Sequence, residues 1–257
     1  MRKKRRRTAN VITNIILTVA ICLFLFSGYN LVVMLLPYYT GGRDYDKVKE
    51  LAIIETVSPE EEEQEEIESG FKVDFDALKN ANADTIAWIR FDEPSIISYP
   101  VVKSADNAEY LTQTFTANEN KLGAIFMDMN NSSRFVDTNT IIYGHNMKVG
   151  DQMFSQLRKY SDMEFCQQYP YFYIYTPDKG EMRYRVFSAG VVKETADNYL
   201  IDFHTDDQIE DFIQVCRSSS NYPVDVEVNT DSNIVTLSTC TCVNEDERFI
   251  VHGVLEE

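Results

Sequence analysis

Residues 233–254 read Asn-Ile-Val-Thr-Leu-Ser-Thr-Cys-Thr-Cys-Val-Asn-Glu-Asp-Glu-Arg-Phe-Ile-Val-His-Gly-Val. Two runs rich in Val, Ile, Thr and Phe, at 234–240 and 248–255, flank a short acidic segment and predict two strands. Cys240 ends the first run and Arg248 opens the second. If the strands pair, a potential nucleophile and a fixed cation lie at the same end of a sheet. The stretch therefore indicates a cysteine active site.

The chain upstream of this stretch is also rich in strand-like runs. These runs lie at residues 86–91, 96–102, 123–127, 140–143, 171–176 and 183–192. Short helices are predicted at 107–111, 152–159, 162–169 and 206–218, and another near Phe75 and Leu78. Eight strands with short connections and no alternating strand–helix rhythm predict a mostly β fold with α insertions. We expect a closed, eight-stranded β-barrel of antiparallel type, with an N-terminal helix and the 206–218 helix before the cysteine strand.

Composition narrows the classes of function. The chain has 257 residues, 44% of them hydrophobic, which is enough for a packed core. Its net charge of −17 argues against nucleic-acid binding, because phosphate groups require a positive surface. The five cysteines are irregularly spaced, so they give no sign of a disulfide framework.

The N-terminus has the pattern of a membrane anchor. Residues 1–10 are basic, and residues 11–36 are apolar over a length sufficient to cross a bilayer. The preceding Arg and Lys residues predict a cytoplasmic N-terminus with the rest of the chain outside. A cleaved signal peptide is the alternative, but the apolar run is not followed by a convincing small-x-small cleavage site.

An acidic stalk is expected at residues 37–70. A short helix is predicted at 45–57, and seven glutamates follow in residues 60–68. Such a run repels itself and is usually a solvated linker, although it could instead bind cations or a basic partner. The catalytic domain is therefore expected to span residues 71–257.

Cys240 needs a base or a cationic neighbour, since the thiolate is the nucleophile. Strand alternation places Ser238 on the same face as Cys240. Of the three histidines, His204 precedes a helix and resembles a surface residue. His252 lies four residues beyond Arg248, roughly 13 Å along a strand. His145 directly follows a predicted strand and Gly144, and it is the preferred base.

Arg248 has two interpretations. It could stabilise an oxyanion, because a guanidinium stays charged and presents a rigid fork of donors. It could instead form a salt bridge with the neighbouring Glu245, Asp246 or Glu247. A metal site formed by Cys240, Cys242 and His252 is weakly supported, because zinc sites usually have four clustered ligands. A calcium loop beginning at Asp128 lacks the expected glycine and final glutamate, and we expect no metal or organic cofactor.

Together these residues resemble the sortase family of Gram-positive bacteria. The motifs are Tyr-Gly-His145, Thr-Leu-Ser-Thr-Cys240 and Arg248 on the next strand, over residues 71–255. Stretches typical of class B are Asp84-Thr-Ile-Ala-Trp88-Ile, Tyr99-Pro-Val-Val102, Asp106-Asn107-Ala-Glu-Tyr110-Leu111 and Gly123-Ala-Ile-Phe-Met-Asp128. The resemblance implies that the catalytic residues are His145, Cys240 and Arg248. It also implies a substrate groove lined by Ser238, Asn107, Leu111, Tyr143, Thr195 and Tyr199.

The resemblance implies a membrane-anchored cysteine transpeptidase that needs no cofactor. Such an enzyme cleaves a C-terminal sorting signal of the Asn-Pro-Gln-Thr-Asn type after Thr, and transfers the surface protein to a peptidoglycan amine. Pilin polymerisation and a catalytically silent binding module remain as alternatives. A papain-like peptidase is disfavoured, because those enzymes place cysteine before histidine. Cys242 is not part of the family motif, and a thiol there could make the enzyme sensitive to oxidation.

Overall fold

The computed structural model describes residues 2–55, 71–147, 149–241 and 243–256. The chain forms two compact units, Met1–Thr40 and Gly41–Glu257. Cys242 and the glutamate run at residues 60–68 lie outside the described residues.

Helix α1 (Arg2–Ala52) begins the chain. Within the described residues, one helical stretch is long and apolar enough to cross a membrane: Thr13–Ala52, with a mean hydropathy of 2.3 over its most apolar window. The length and composition of this stretch are compatible with the anchor expected at residues 11–36.

The end of α1 belongs to the second unit rather than to a stalk. Tyr45, Val48 and Ala52 are buried, and their spacing places them on one face of the helix. Strand β1 (Ile53–Glu55) follows and pairs antiparallel with β2 (Phe71–Val73). The sequence predicted a stalk at residues 37–70 and a domain start at Phe71. Residues 41–55 of that stretch lie in the second unit, and residues 56–70 lie outside the described residues. The second unit begins at Gly41, because the apolar face of α1 needs a packing partner.

The remaining elements build the barrel. In chain order they are α2 (Phe75–Ala81), β3 (Thr85–Phe91), β4 (Ser98–Val102), α3 (Glu109–Thr112), β5 (Ile125–Met127), β6 (Asn139–Tyr143), α4 (Met163–Gln168), β7 (Tyr171–Thr176), β8 (Gly180–Lys193), α5 (Asp206–Ser218), β9 (Ile234–Cys240) and β10 (Glu247–Leu255). Two 3₁₀ turns, Ser155–Ser161 and Asp197–Tyr199, lie in the connections. The first replaces the helix expected at 152–159. The expected closed eight-stranded barrel is confirmed, with strand order β10-β8-β7-β3-β4-β5-β6-β9.

The barrel is mixed rather than purely antiparallel. The pairs β4–β5 and β6–β9 are parallel, whereas the other neighbouring strands are antiparallel. Parallel strands need a long crossover connection, and both of these pairs have one. The sequence pattern of a single strand does not show whether a partner distant in sequence runs parallel or antiparallel to it.

Large apolar side chains fill the barrel and the contact with α5. Trp88 and Phe172 are fully buried. On the α5 side, Phe212 and Cys216 pack in one cluster with Phe187 of β8. Helix α5 begins where the sequence predicts, and Thr205 caps it by accepting a hydrogen bond from the Gln208 amide. The helix expected before the cysteine strand is thus present and anchored on the barrel.

Candidate active site

Cys240 and Arg248 face each other across an antiparallel strand pair. The register of β9 and β10 places Arg248 directly opposite Cys240. Cys240 ends β9 and is half-buried, so its sulfur is neither sealed in the core nor fully in water. The side-chain amide of Asn146 donates to the Cys240 carbonyl over 2.7 Å, which fixes the end of the strand. The predicted meeting of cysteine and arginine is confirmed.

The parallel pairing of β6 with β9 brings His145 to the same end of the barrel as Cys240. Tyr143 is paired with Ser238, and His145 and Cys240 each lie two residues further along strands that run in the same direction. The Gly144 amide extends this pairing by donating to the Ser238 carbonyl over 3.1 Å. Parallel pairing therefore carries the histidine and the cysteine off the same edge of the barrel.

The ring of His145 is oriented by a backbone carbonyl. Its Nε2 lies 2.7 Å from the carbonyl oxygen of Leu111. A carbonyl oxygen only accepts, so Nε2 carries the proton and Nδ1 is the nitrogen left for proton transfer. The preceding residue, Gly144, has no room for a side chain, since a Cβ there would lie 2.5 Å from the Ile125 side chain and 2.7 Å from the Phe154 ring.

Arg248 is held by a carboxylate from Glu194, the residue that follows β8. Its Nη2 donates to Glu194 over 2.5 Å, and its Nη1 donates to the carbonyls of Glu245 and Glu247 over 2.6 and 3.0 Å. The alternative interpretation, a salt bridge to the side chain of Glu245, Asp246 or Glu247, names the wrong partner, because the carboxylate paired with Arg248 is that of Glu194. Lys193 pairs with Asp246 and Glu247. These bonds use three of the five guanidinium N–H donors and hold the cation beside Cys240.

All nine predicted site residues line one or both of two adjoining cavities. The first, about 240 Å³, contains the three predicted catalytic residues together with Ser238 and Tyr143. Asn107 and Leu111 also line it. The second, about 490 Å³, is lined by Thr195 and Tyr199, and it shares Tyr143, Ser238 and Arg248 with the first. The cavities thus form a continuous groove past the cysteine.

Asp128 organises one wall of this groove. Its side chain is 5% exposed, and its Oδ2 accepts hydrogen bonds from the Asn107 amide (2.8 Å) and the Tyr143 hydroxyl (2.9 Å). Its Oδ1 accepts from the backbone and side-chain nitrogens of Asn130. Burial raises the pKa of Tyr143, and the negative charge of Asp128 raises it further. Both oxygens of this buried carboxylate accept hydrogen bonds, and these bonds hold the partner residues in place.

Tyr199 and Ser238 line the second cavity next to Tyr143. Their side-chain oxygens are 2.7 Å apart, and the Tyr199 ring stacks near that of Tyr143 with centroids 6.4 Å apart. Burial raises the pKa of Tyr199 to about 12, so its hydroxyl is neutral at physiological pH. The groove therefore presents hydroxyl groups and aromatic faces, which suit a peptide backbone and polar side chains.

Sequence reasoning missed four contacts that shape the site. It considered Asp128 only as a calcium ligand, although a carboxylate directly after a strand was a visible signal. It also missed Asn146, Glu194 and the close approach of Gly123 to His145. No local signal could have paired Glu194 with Arg248, because a barrel register decides that contact.

The chain is similar in sequence to a known protein family and to characterised members of it. Residues 93–256 match the family model described as the sortase domain. The chain is 36% identical to sortase B of Listeria monocytogenes over 182 residues, which is 69% of this chain and 72% of that protein. It is 31% identical to sortase B of Staphylococcus aureus over 242 residues, which is 93% of this chain and 91% of that protein.

A solved structure shows the same fold. The crystal structure of sortase B from Bacillus anthracis, in complex with AAEK1, superposes with a TM-score of 0.71 at 31% identity. The match covers 86% of this chain and 98% of that one. The closed mixed barrel and its N-terminal helix are thus common to both proteins.

Proposed function

This chain belongs to class B of the sortase family of cysteine transpeptidases, and we propose that Cys240, His145 and Arg248 are its catalytic residues. One observation carries the proposal: the three side chains come from β9, the end of β6 and β10, yet they line a single cavity. A nucleophile, a proton carrier and a fixed cation in one groove match the requirements of acyl transfer.

In the acylation step, the thiolate of Cys240 attacks the carbonyl carbon of the threonine in a sorting signal. Arg248 donates a hydrogen bond to the oxyanion of the tetrahedral intermediate. The intermediate collapses, the C–N bond breaks, and the proton on Nδ1 of His145 moves to the departing amine. The products are a thioester on Cys240 and a released C-terminal peptide.

In the transfer step, an amine attacks the thioester carbonyl. Nδ1 of His145 accepts the proton from the attacking nitrogen, and the Cys240 thiolate leaves. The hydrogen bond from Nε2 to the Leu111 carbonyl orients the ring, so Nδ1 acts in both steps.

The proposed substrate is a surface protein ending in an Asn-Pro-Gln-Thr-Asn type signal, and the proposed acceptor is a peptidoglycan amine. The polar and aromatic groove supports binding of such a signal, with Asn107, Leu111, Tyr143, Thr195, Tyr199 and Ser238 as its binding residues. The apolar helix supports an anchor at residues 11–36, with the N-terminus cytoplasmic and the barrel outside. There the enzyme meets both substrates at the outer membrane face.

The first test measures cleavage of a fluorogenic Asn-Pro-Gln-Thr-Asn peptide by the full chain in detergent. We expect cleavage by the wild type and a loss of about 10³-fold or more in Cys240→Ala, because no other group supplies the thioester. Mass spectrometry of the trapped wild type should show the acyl adduct on Cys240. Unchanged cleavage by Cys240→Ala rules out the assignment.

The acceptor is tested in cells of the source organism. Surface protein recovered only on peptidoglycan fragments supports cell-wall attachment. A ladder of protein linked through lysine amines supports the pilin-polymerising alternative instead.

A further inference from the structure

We propose that Tyr45, at the end of α1, is a positioning residue for the catalytic histidine. The inference rests on the proposed role of His145. It concerns a part of the chain for which the sequence predicted a stalk, and it gives that part a role in catalysis. The juxtaposition that carries it is a buried tyrosine hydroxyl bonded to the loop on which the histidine ring rests.

The Tyr45 hydroxyl joins two points of the connection between β4 and β5. The side chain is 3% exposed. Its hydroxyl donates to the Gly123 carbonyl over 2.7 Å and accepts from the Phe115 amide over 3.2 Å. A buried hydroxyl with both a donor and an acceptor partner is fully satisfied, and it fixes the distance between the two backbone segments.

Gly123 in turn lies directly against His145. It has a positive φ of 57°, and a Cβ at this position would be 2.9 Å from Cδ2 of the His145 ring. The same Cβ would be 2.9 Å from the carbonyl oxygen of Leu111, which accepts the hydrogen bond from His145 Nε2. The backbone at Gly123 therefore forms the floor beneath both the imidazole and its orienting carbonyl. The hydroxyl of Tyr45 holds this floor in place.

A second route leads from Tyr45 to the backbone of the histidine. The Tyr45 ring meets the ring of Tyr99 edge to face, with centroids 5.3 Å apart. The Tyr99 hydroxyl accepts from the Met153 amide over 3.1 Å, and the next amide, that of Phe154, donates to the His145 carbonyl over 3.0 Å. One side chain thus supports both the ring and the main chain of His145.

This arrangement predicts a defect in proton transfer rather than in binding. Without the hydroxyl, the floor at Gly123 is free to move and the His145 ring loses its fixed angle. A small misplacement of a catalytic group costs about tenfold to a hundredfold in rate. Of the proposed signal-binding residues, Asn107 and Leu111 belong to the same connection as Gly123, whereas Tyr143, Thr195, Tyr199 and Ser238 come from other parts of the barrel. We therefore expect kcat to change much more than KM.

The test compares Tyr45→Phe with Tyr160→Phe in the full chain. Tyr160 is an equally buried tyrosine whose hydroxyl donates to a backbone carbonyl, that of Tyr169, over 2.8 Å. Tyr45→Phe loses two buried hydrogen bonds and Tyr160→Phe loses one, so both variants should be less stable to heat than the wild type, Tyr45→Phe the more so. Both are assayed at a temperature at which each is fully folded. We expect kcat to fall about tenfold or more in Tyr45→Phe, with KM within about twofold of wild type, and both to be unchanged in Tyr160→Phe. In NMR spectra, the hydrogen-bonded Nε2 proton of His145 should broaden only in Tyr45→Phe.

A kcat of Tyr45→Phe equal to that of Tyr160→Phe overturns the inference, as does an unaltered Nε2 proton signal. If Tyr45→Phe unfolds at the usual assay temperature, the wild type and both variants are compared at a lower temperature at which all three are folded. A His145→Ala variant separates the two proposals. If His145→Ala keeps the kcat of the wild type, the proposed catalytic role of His145 fails. If His145→Ala is inactive and Tyr45→Phe has the kcat of the wild type, only the proposed role of Tyr45 fails.

Discussion

At the scale of single residues, the site depends on side chains that would not themselves react. Asp128 contacts Asn107 from the α3 side of the groove and Tyr143 from the end of β6, and its carboxylate joins these two elements. Charge-assisted hydrogen bonds in a buried setting are about twice as strong as neutral ones. A single carboxylate thereby links two residues that line the same cavity as Cys240.

Replacing Asp128 with Asn tests this role. The amide nitrogen of Asn cannot accept a hydrogen bond, so at least one of the bonds from Asn107, Tyr143 and Asn130 is lost. We expect kcat/KM for the sorting peptide to fall about tenfold, mainly through KM, because one charged hydrogen bond contributes about 1.5–3 kcal/mol. Steady-state kinetics of the full chain measures the two constants separately.

Asp137→Asn is the matched control for that prediction. The Asp137 carboxylate accepts from Asn131 (2.8 Å) and from the Ser132 amide (2.7 Å) in the same connection between β5 and β6, away from the groove. It should lose comparable thermal stability and keep its KM. Equal kinetic effects in the two variants would mean that Asp128 only stabilises the loop.

Among the helices and strands, the packing of α5 against β8 supports the strand that pairs with β10, and β10 carries Arg248. Strand β10 pairs with β8 over most of its length, and α5 packs on β8 through Phe212 and Phe187. Contact is closest at Gly190, where a Cβ would lie 2.0 Å from the Ser219 carbonyl oxygen at the end of α5. The Asn221 amide also donates to the Ala189 carbonyl over 2.8 Å. The absence of a side chain at Gly190 allows the helix end to touch the strand.

Gly190→Ala should therefore destabilise the barrel by about 1–3 kcal/mol, because the obstructing atom is backbone and the helix end has to shift. Thermal melting of the full chain measures the loss. Val191→Ala is the control, since Val191 is the next residue of the strand and is largely exposed. A melting temperature of Gly190→Ala equal to that of the control would contradict the close contact.

In the molecule as a whole, one histidine with no part in the proposed chemistry is buried beside Phe187 and Ser188, two β8 residues that contact α5. His252 is 0% exposed, paired with Thr236 in the β9–β10 register, and its Nδ1 lies 3.3 Å from the Ser188 hydroxyl. Its Nε2 has no hydrogen-bond partner within the part of the chain that the structure describes. Burial lowers the pKa of His252 to about 3, so the folded barrel holds it neutral. This placement agrees with the prediction that His252 is too far along the strand to serve as the base.

His252 makes folding stability depend on pH. The unfolded histidine titrates near 6.5, so between about pH 6.5 and 3 the unfolded state binds one more proton than the folded state. The free energy of unfolding therefore falls as pH falls, at up to about 1.4 kcal/mol per pH unit from this group. Urea unfolding followed by the fluorescence of Trp88, the single tryptophan, measures it at pH 7, 6 and 5.

His252→Leu should reduce this pH dependence, so that its stability approaches or exceeds that of the wild type at pH 5. His204→Gln is the control, because it removes an exposed histidine and should keep the wild-type slope. Identical slopes in wild type and His252→Leu would contradict the assignment of a buried neutral histidine.

Much of the fold and the candidate site could be predicted from local sequence. The bounds of β9 and α5 agree with the prediction, because strand alternation and the Thr205 cap are local signals. The facing of Cys240 and Arg248 also follows from two strands joined by a short acidic segment. His145 could be chosen only by elimination, since the parallel pairing of β6 with β9 has no local signature.

Local sequence was enough to predict which residue types stand at the strand ends, a β-barrel domain, and an apolar helix over residues 11–36. These properties depend on hydrophobic periodicity and on neighbours in the chain. Tertiary contacts were needed to place Tyr45 and Ala52 in the second unit, to pair Glu194 with Arg248, and to join Asn107 to Tyr143 through Asp128. Each of these contacts joins segments distant in sequence, and barrel closure fixes them through burial and hydrogen-bond satisfaction, which no local pattern encodes.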